Sequence, residues 1–452
     1  MLNTIQVGNN IDILKTIPDN SIDSIVTDPP YGLGKEPNAI EVLTSWVTNG
    51  FHEIKGKGFM GKEWDAFVPQ PIFWKECIRV LKPGGYLLSF AGTRTYDWIV
   101  MGLRISWFEI CDQIAWVYGS GFPKSHDVAK AIEGQLVYGS SNTQAFNKLD
   151  GDEIDTKLGF TKNQHEQGAR PNDYTDRHKS KTNIKYTTDQ AKQWQGWGTA
   201  LKPALAPIVV ARKKLEGTVA ENVLKYGVGG INIDECRVGE EERTQFSGKA
   251  SNGNVYFEYN QDNAHYETVN GRFPANFIHD NSEEVVDLLQ ESARFFYTPK
   301  ASQKERNKGL DEFEETTDKS KGNGRDRVCG YCGASQLKPQ DCKCEQKSWI
   351  TKTKKNIHPT VKPIELMRYL VKLVTPKGAT CIDPFMGSGT TAIACKLESI
   401  NYIGCELNEE YAKIAESRIN DYFRELTIFD TEELEKEEKK KQETIEQITL
   451  EI

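Results

Sequence analysis

Apolar positions in the first part of the chain recur in two alternating periods. Ile11, Leu14 and Ile17 stand at helical spacing behind the turn Gly8-Asn9-Asn10, and Ile22, Ile25 and Val26 then form an apolar run that predicts a strand ending at Asp28. A second helix is expected from Ile72, Trp74, Cys77, Ile78, Val80 and Leu81, stopped by Lys82-Pro83-Gly84-Gly85 and followed by the strand Tyr86-Leu87-Leu88-Ser89-Phe90. Another helix and strand run from Tyr96 to Val117, and this alternation predicts an α/β sheet of mostly parallel strands. At Gly119 the pattern dissolves. From there to Asn356 the chain is polar, charged and aromatic, with short apolar pieces at Ala206 to Ala211 and Val285 to Leu289. So long a stretch cannot be a structureless loop in a compact domain, and it reads as an insertion folded in part on the core. The alternation returns at His358 with a helix from Ile364 to Val374, the strand Ala379 to Asp383, the turn Pro384-Phe385-Met386-Gly387-Ser388-Gly389, a helix opening at Thr390-Thr391, and the strand Tyr402 to Cys405 ending at Glu406. The expected divisions are 1–118, 119–356, 357–425 and a charged tail, 426–452.

Composition narrows the class. With 452 residues, 38% hydrophobic and 27% charged, the chain has the makeup of a globular protein with room for more than one domain, and no apolar run approaches the ~20 residues of a membrane span. The N-terminal residues lack a basic region followed by an apolar stretch, so no secretory signal is expected, and a cytoplasmic location is. The net charge of −8 is unevenly distributed. Residues 425–452 carry −6, whereas 161–216 and 300–362 each carry +6. A basic middle on an acidic body suits an insert that faces a polyanion such as DNA.

Two short stretches carry candidate chemistry. In Asp28-Pro29-Pro30-Tyr31 the prolines stiffen the strand end, setting a carboxylate beside a backbone carbonyl. Two acceptors at one point suit an amine with two N–H groups, and Tyr31 offers a face on which a base could stack; the same residues also make ordinary turns. The second stretch is a strand, a Gly-x-Gly turn at Gly387 and Gly389, a helix, and a strand ending in the acid Glu406. Glycines let backbone approach a ligand, a helix N-terminus favours negative charge, and an acid on the next strand can take both hydroxyls of a ribose, so an adenosine-containing cofactor is expected. In the middle of the chain, Trp194-Gln195-Gly196-Trp197-Gly198-Thr199 and Arg272-Phe273-Pro274-Ala275-Asn276 either contact bases and phosphates or fill a small local core.

Together, Asp28-Pro29-Pro30-Tyr31 and Asp383-Pro384-Phe385-Met386-Gly387-Ser388-Gly389-Thr390 resemble the two signature motifs of S-adenosylmethionine-dependent DNA amino-methyltransferases. With the tetrapeptide first and the glycine loop last, the chain is similar to the β class, and His358-Pro359-Thr360-Val361-Lys362-Pro363 matches a further motif of that class. The resemblance covers about residues 3–117 and 357–422; the insert resembles that of phage and prophage members through Trp197 to Pro203 and Arg272 to Asn276. It implies a class I, Rossmann-like methyltransferase fold, circularly permuted, with an inserted target-recognition region. It also implies S-adenosylmethionine as cofactor, held by Asp383, Phe385, Gly387, Gly389 and Thr390, its ribose on Glu406 and its pocket closed by His358, Thr360, Lys362 and Pro363. Members carry an acid where this chain has Asn9, whose amide oxygen can still accept from the cofactor adenine. A flipped-out adenine would stack on Tyr31 with its N6 protons on Asp28 and the Pro29 carbonyl. Asp as the first residue favours adenine N6 over cytosine N4; a rival of another class is a zinc-stabilised nucleic-acid-binding protein without turnover. Dimerisation is an expectation from the family alone.

Of the ten cysteines, four lie at Cys329, Cys332, Cys342 and Cys344, spacing at which two thiolate pairs can converge on a structural zinc. His52, His126, His165, His178, His265 and His279 show no ligand spacing and read as surface or loop residues.

Overall fold

The structure is a computed structural model; it describes residues 2–54, 56, 58, 65–119, 125–139, 186–247, 265–295, 303–310, 316–317, 327–329, 349–351, 353–354, 356–358, 360–422 and 424. The chain divides into two units, one of residues 1–119, 205–313 and 356–452 and one of 120–204 and 314–355.

The first unit is built on an eight-stranded sheet. Its strands in chain order are β1 (Thr4–Val7), β2 (Ile22–Thr27), β3 (Leu81–Phe90), β4 (Phe108–Val117), β5 (Leu205–Lys213), β6 (Phe277–His279), β7 (Thr380–Asp383) and β8 (Asn401–Glu406), and their spatial order is β1-β8-β7-β2-β3-β5-β4-β6. Every pairing is parallel except those of β5, which runs antiparallel between β3 and β4. Successive residues on a strand face opposite sides, so both faces of the inner strands are apolar. Val26, Leu88 and Val210 pack with the helices Ile364–Val374 and Thr390–Leu397; Ile25, Leu87 and Val209 pack with Asn10–Lys15, Pro71–Val80 and Tyr96–Ile105. Among the described residues no helix is long and apolar enough to cross a membrane.

One boundary changes. The 119–356 stretch is not a single insertion, because Leu205–Phe313 belongs with the sheet. Its run Ala206-Pro207-Ile208-Val209-Val210-Ala211 is the buried inside of β5 and fills the gap between β3 and β4. A continuous apolar run of this length is what a strand covered on both faces requires, and polar flanks disguise it. His279, expected at the surface, is fully buried on β6, where Nδ1 accepts from the Asn281 N–H (3.2 Å) and Nε2 lies 3.0 Å from the Ala293 carbonyl.

In the second unit, helices Val128–Tyr138 and Asp189–Gln193 bury Ala129, Tyr186 and Ala191 between them, and Arg327–Cys329 pairs antiparallel with Trp349–Thr351. Trp194 and Trp197 meet edge to face at 5.0 Å and are 40% and 60% exposed, so they do not form a core. In the first unit Phe273 is likewise exposed, while the Asn276 carbonyl accepts from Ala115 N–H.

Candidate active site

Three strands that lie side by side, β8, β7 and β2, point the same way, so Glu406, Asp383 and Asp28 emerge at one edge of the sheet. The carboxyl ends of parallel strands are where α/β sheets present ligands. The two candidate motifs, more than 350 residues apart in sequence, therefore start from neighbouring strands, with Cys381 beside Ser24 and Ile382 beside Ile25.

Asp383 ties the two together. Its carboxylate accepts from Thr27 Oγ1 at the end of β2 (2.6 Å), from Thr391 Oγ1 (2.5 Å) and from Phe385 N–H (3.0 Å), and it is 2% exposed. Burial pushes its pKa up to about 6, against the pull of the three donors and with a small contribution from the nearby Asp28 charge. With both oxygens engaged, Asp383 shapes the loop from beneath.

The loop itself turns on two glycines. Gly387 (φ 55°) and Gly389 (φ 82°) are left-handed, and a Cβ on Gly389 would sit 2.9 Å from that of Ala415. Gly387 N–H donates to Glu406 Oε2 (2.8 Å) and Asn408 N–H to Oε1 (2.9 Å), so the acid at the end of β8 is fixed beside the loop. Burial raises the Glu406 pKa, partly offset by these amides. Phe385, half-buried, packs against Phe73 at 5.1 Å. Thr390 opens the helix Thr390–Leu397, and Pro363 precedes the helix Ile364–Val374, whose first N–H donates to Glu305 Oε1 (2.8 Å).

His358 packs on the loop. A Cβ on Gly387 would lie 2.8 Å from His358 Nε2, the ring stands edge-on to Tyr411 at 4.8 Å, and Nδ1 bonds the Thr360 carbonyl. Burial lowers its pKa to about 4, so the ring is neutral and Nδ1 carries the proton that meets Thr360. Pro359 lies outside the described residues.

Sequence reasoning missed Arg418. Fully buried on the helical residues 409–422, it donates through Nη1 to the Ser388 carbonyl, Ser388 Oγ (3.0 Å) and Thr390 Oγ1 (3.3 Å), while its Nε and Nη2 have no hydrogen-bond partner among the described residues. The signal was present: an arginine on the stripe of Tyr411, Ile414, Ala415 and Ile419, where helical spacing predicts an apolar residue.

At the other motif Pro29 is buried, and Thr95 Oγ1 holds the Tyr31 carbonyl at 2.6 Å. The Tyr31 hydroxyl donates to Asp28 Oδ1 (2.9 Å), and Lys362 Nζ donates to Asp28 Oδ2 and to Tyr31 OH (3.2 Å). Burial, then the Asp28 charge, holds the Tyr31 phenol well above its ordinary pKa, so it stays protonated. Two residues that the resemblance assigns to the cofactor have protein partners here. Lys362, assigned to the cofactor pocket, sits on Asp28. Asn9, assigned to the cofactor adenine, caps the helix Asn10–Lys15, its Oδ1 accepting from Ile11 N–H (2.9 Å); a short polar side chain ahead of a helix is first of all an N-cap.

Cys332, Cys342 and Cys344 lie outside the described residues, and Cys329 ends a strand without a described side chain. Among the described residues no three His, Cys, Asp or Glu side chains converge as a metal site.

The profile of the DNA methylase family N6_N4_Mtase matches residues 22–417. The type II methyltransferase M.BglI of Bacillus subtilis is 38% identical over 104 residues, 22% of this chain and 30% of the relative. M.HindIII of Haemophilus influenzae is 41% identical over 70 residues, 16% of this chain and 23% of that one. The chain thus spans under a third of the length of these curated relatives. Among solved structures, the M1.HpyAVI–SAM complex aligns over 92% of this chain and 98% of its own at 15% identity and a TM-score of 0.35, and the cytosine-N4-specific PvuII DNA methyltransferase over 93% of each at 12% identity and 0.39.

Proposed function

The chain belongs to the DNA methylase family N6_N4_Mtase, and on that premise we propose that it transfers a methyl group from S-adenosylmethionine to the N6 amine of adenine in DNA. The observation that carries the reading is the adjacency of β2 and β7, which sets Asp28 beside the glycine loop.

S-adenosylmethionine supplies an electrophilic methyl carbon on a sulfonium. The surroundings of the loop suit it: glycine backbone at 387 and 389, a helix N-terminus at Thr390, a carboxylate at Glu406 for ribose hydroxyls, and the partly open ring of Phe385. At the other side Asp28 and the Pro29 carbonyl accept the two N–H groups of the target amine, drawing its lone pair out of conjugation. That pair would form the N–C bond to the methyl carbon the cofactor supplies, the C–S electron pair leaving with sulfur, and the proton lost from nitrogen would pass to solvent water. Asp28 stabilises the charge that develops on nitrogen, so catalysis is positioning plus electrostatics. Tyr31 stays a neutral phenol and serves as a surface for the base.

The test is incubation with DNA and labelled S-adenosylmethionine followed by nucleoside analysis. N6-methyladenine is expected; N4-methylcytosine would move the assignment to the other amine, and an absence of label would end it. Asp28→Ala should lower transfer by at least about 100-fold, given what one electrostatic stabiliser contributes, with cofactor binding retained. The order of the motifs supports the β class with a permuted chain, and the exposed Trp197 supports a target-recognition role for the second unit. Cys329, Cys332, Cys342 and Cys344 are retained as a structural zinc site, for which metal analysis should find about one zinc per chain.

A further inference from the structure

Lys362 occupies the place that the proposed reaction reserves for the target amine. Its Nζ donates to Asp28 Oδ2 and to the Tyr31 hydroxyl, and it lies 4.5 Å from the centre of the Phe90 ring and 5.5 Å from that of Tyr31. Both partners are shielded, the lysine side chain at 12% exposure and the aspartate at 19%. An N–H donor between aromatic rings on a carboxylate is the description of a bound exocyclic amine as well. Resting on the methyl-transfer reading, we propose that Lys362 is a stand-in for the target amine, holding the trap closed and charge-balanced until a base exchanges with it.

Two physical arguments make the exchange necessary. A carboxylate so shielded is costly without a counter-charge, so the empty trap needs a cation. Methyl transfer then makes the amine nitrogen positive, and a second cation on the same oxygen would oppose that charge, so Lys362 must leave Oδ2 as the base arrives. Asp28 Oδ1 keeps the Tyr31 hydroxyl throughout, and a carboxylate has lone pairs enough for both. The backbone on either side is anchored, with His358 N–H on Asn356 Oδ1 (3.0 Å), Asn356 Nδ2 on the Arg306 carbonyl (2.8 Å) and Ile364 N–H on Glu305. Withdrawal is therefore a rotation of the lysine stem, with the backbone at His358 and Ile364 left in place. Lys362 acts as a positioning residue for Asp28.

The experiment supplies the missing ammonium from solution. In full-length Lys362→Ala, methylammonium chloride should bind the vacated place and raise the thermal midpoint above that in equal tetramethylammonium chloride, which has no N–H to donate. The two salts should act alike on the wild type. With unmodified genomic DNA as acceptor, methylammonium should raise the apparent KM for DNA several-fold over tetramethylammonium in Lys362→Ala and in Lys362→Met, and not in the wild type. Equal effects of the two salts on the melting of Lys362→Ala would overturn the stand-in. Wild-type protein that methylates no DNA would sink the functional reading instead, and the melting comparison would still decide the role of Lys362.

Discussion

At the scale of single residues, two of the titrating groups in the site, His358 and Asp383, have opposite signs. His358 is lowered from 6.5 to about 4, so the unfolded chain takes up its proton first and stability is lost as pH falls from 6.5 to 4. Asp383 is raised from 3.8 to about 6, so the folded chain keeps its proton longer and stability is lost as pH rises from 3.8 to 6. Over most of this window the two oppose each other. His358→Gln removes one of them: relative to this variant, the wild type should lose up to about 3 kcal/mol as pH falls from 6.5 to 4, read from paired denaturant melts. A pH-independent difference between the two proteins would mean that His358 is not neutral in the fold. Residue identity was legible where the chemistry is local, as in Asp28 to Tyr31. It was not legible for Lys362, whose partner is 334 positions away and whose spacing to Asp28 no periodicity encodes.

At the scale of elements the glycine loop is clamped from outside by the helical residues 409–422. Gly389 and Gly378 share a left-handed φ, 82° and 77°, but a Cβ on Gly389 would meet Ala415 at 2.9 Å, whereas Gly378 has nothing within 4 Å. Gly378→Ala should thus cost about 1 kcal/mol from backbone strain alone, and Gly389→Ala a further 1–3 kcal/mol or so from overpacking. Thermal melts of the two variants measure the difference, and equal losses would show that Ala415 yields. Only Gly389→Ala should also weaken S-adenosylmethionine binding, since it displaces the turn. The turn and its helix were readable because glycine punctuates them; the packing partner was not, because Ala415 looks like any small residue on a helix.

At the scale of the molecule the misjudged element is β5. Polar neighbours on both sides give the run at 206–211 the look of a fragment of an insert, because a buried strand carries no amphipathic alternation to reveal it. Its place predicts a contrast. Ile208→Asp, at a fully buried position, should cost more than about 3 kcal/mol and abolish soluble folding, while Leu201→Asp, 92% exposed, should stay within about 0.5 kcal/mol. Comparable soluble yields and melts for both would remove β5 from the sheet interior.

The pairing of β2 with β7, and of β1 with β8, also sets a clock on synthesis. Residues 24 and 25 meet residues 381 and 382, so β2 leaves the ribosome with one hydrogen-bonding edge open until more than 350 further residues have been made. At about 5–20 residues per second that interval is roughly 20–70 s, during which an apolar strand edge is available to any other chain. The strand that leads to Asp28 is made early in the sheet and gains its β7 neighbour only late, and the nascent protein is vulnerable to misassembly while that edge stands open.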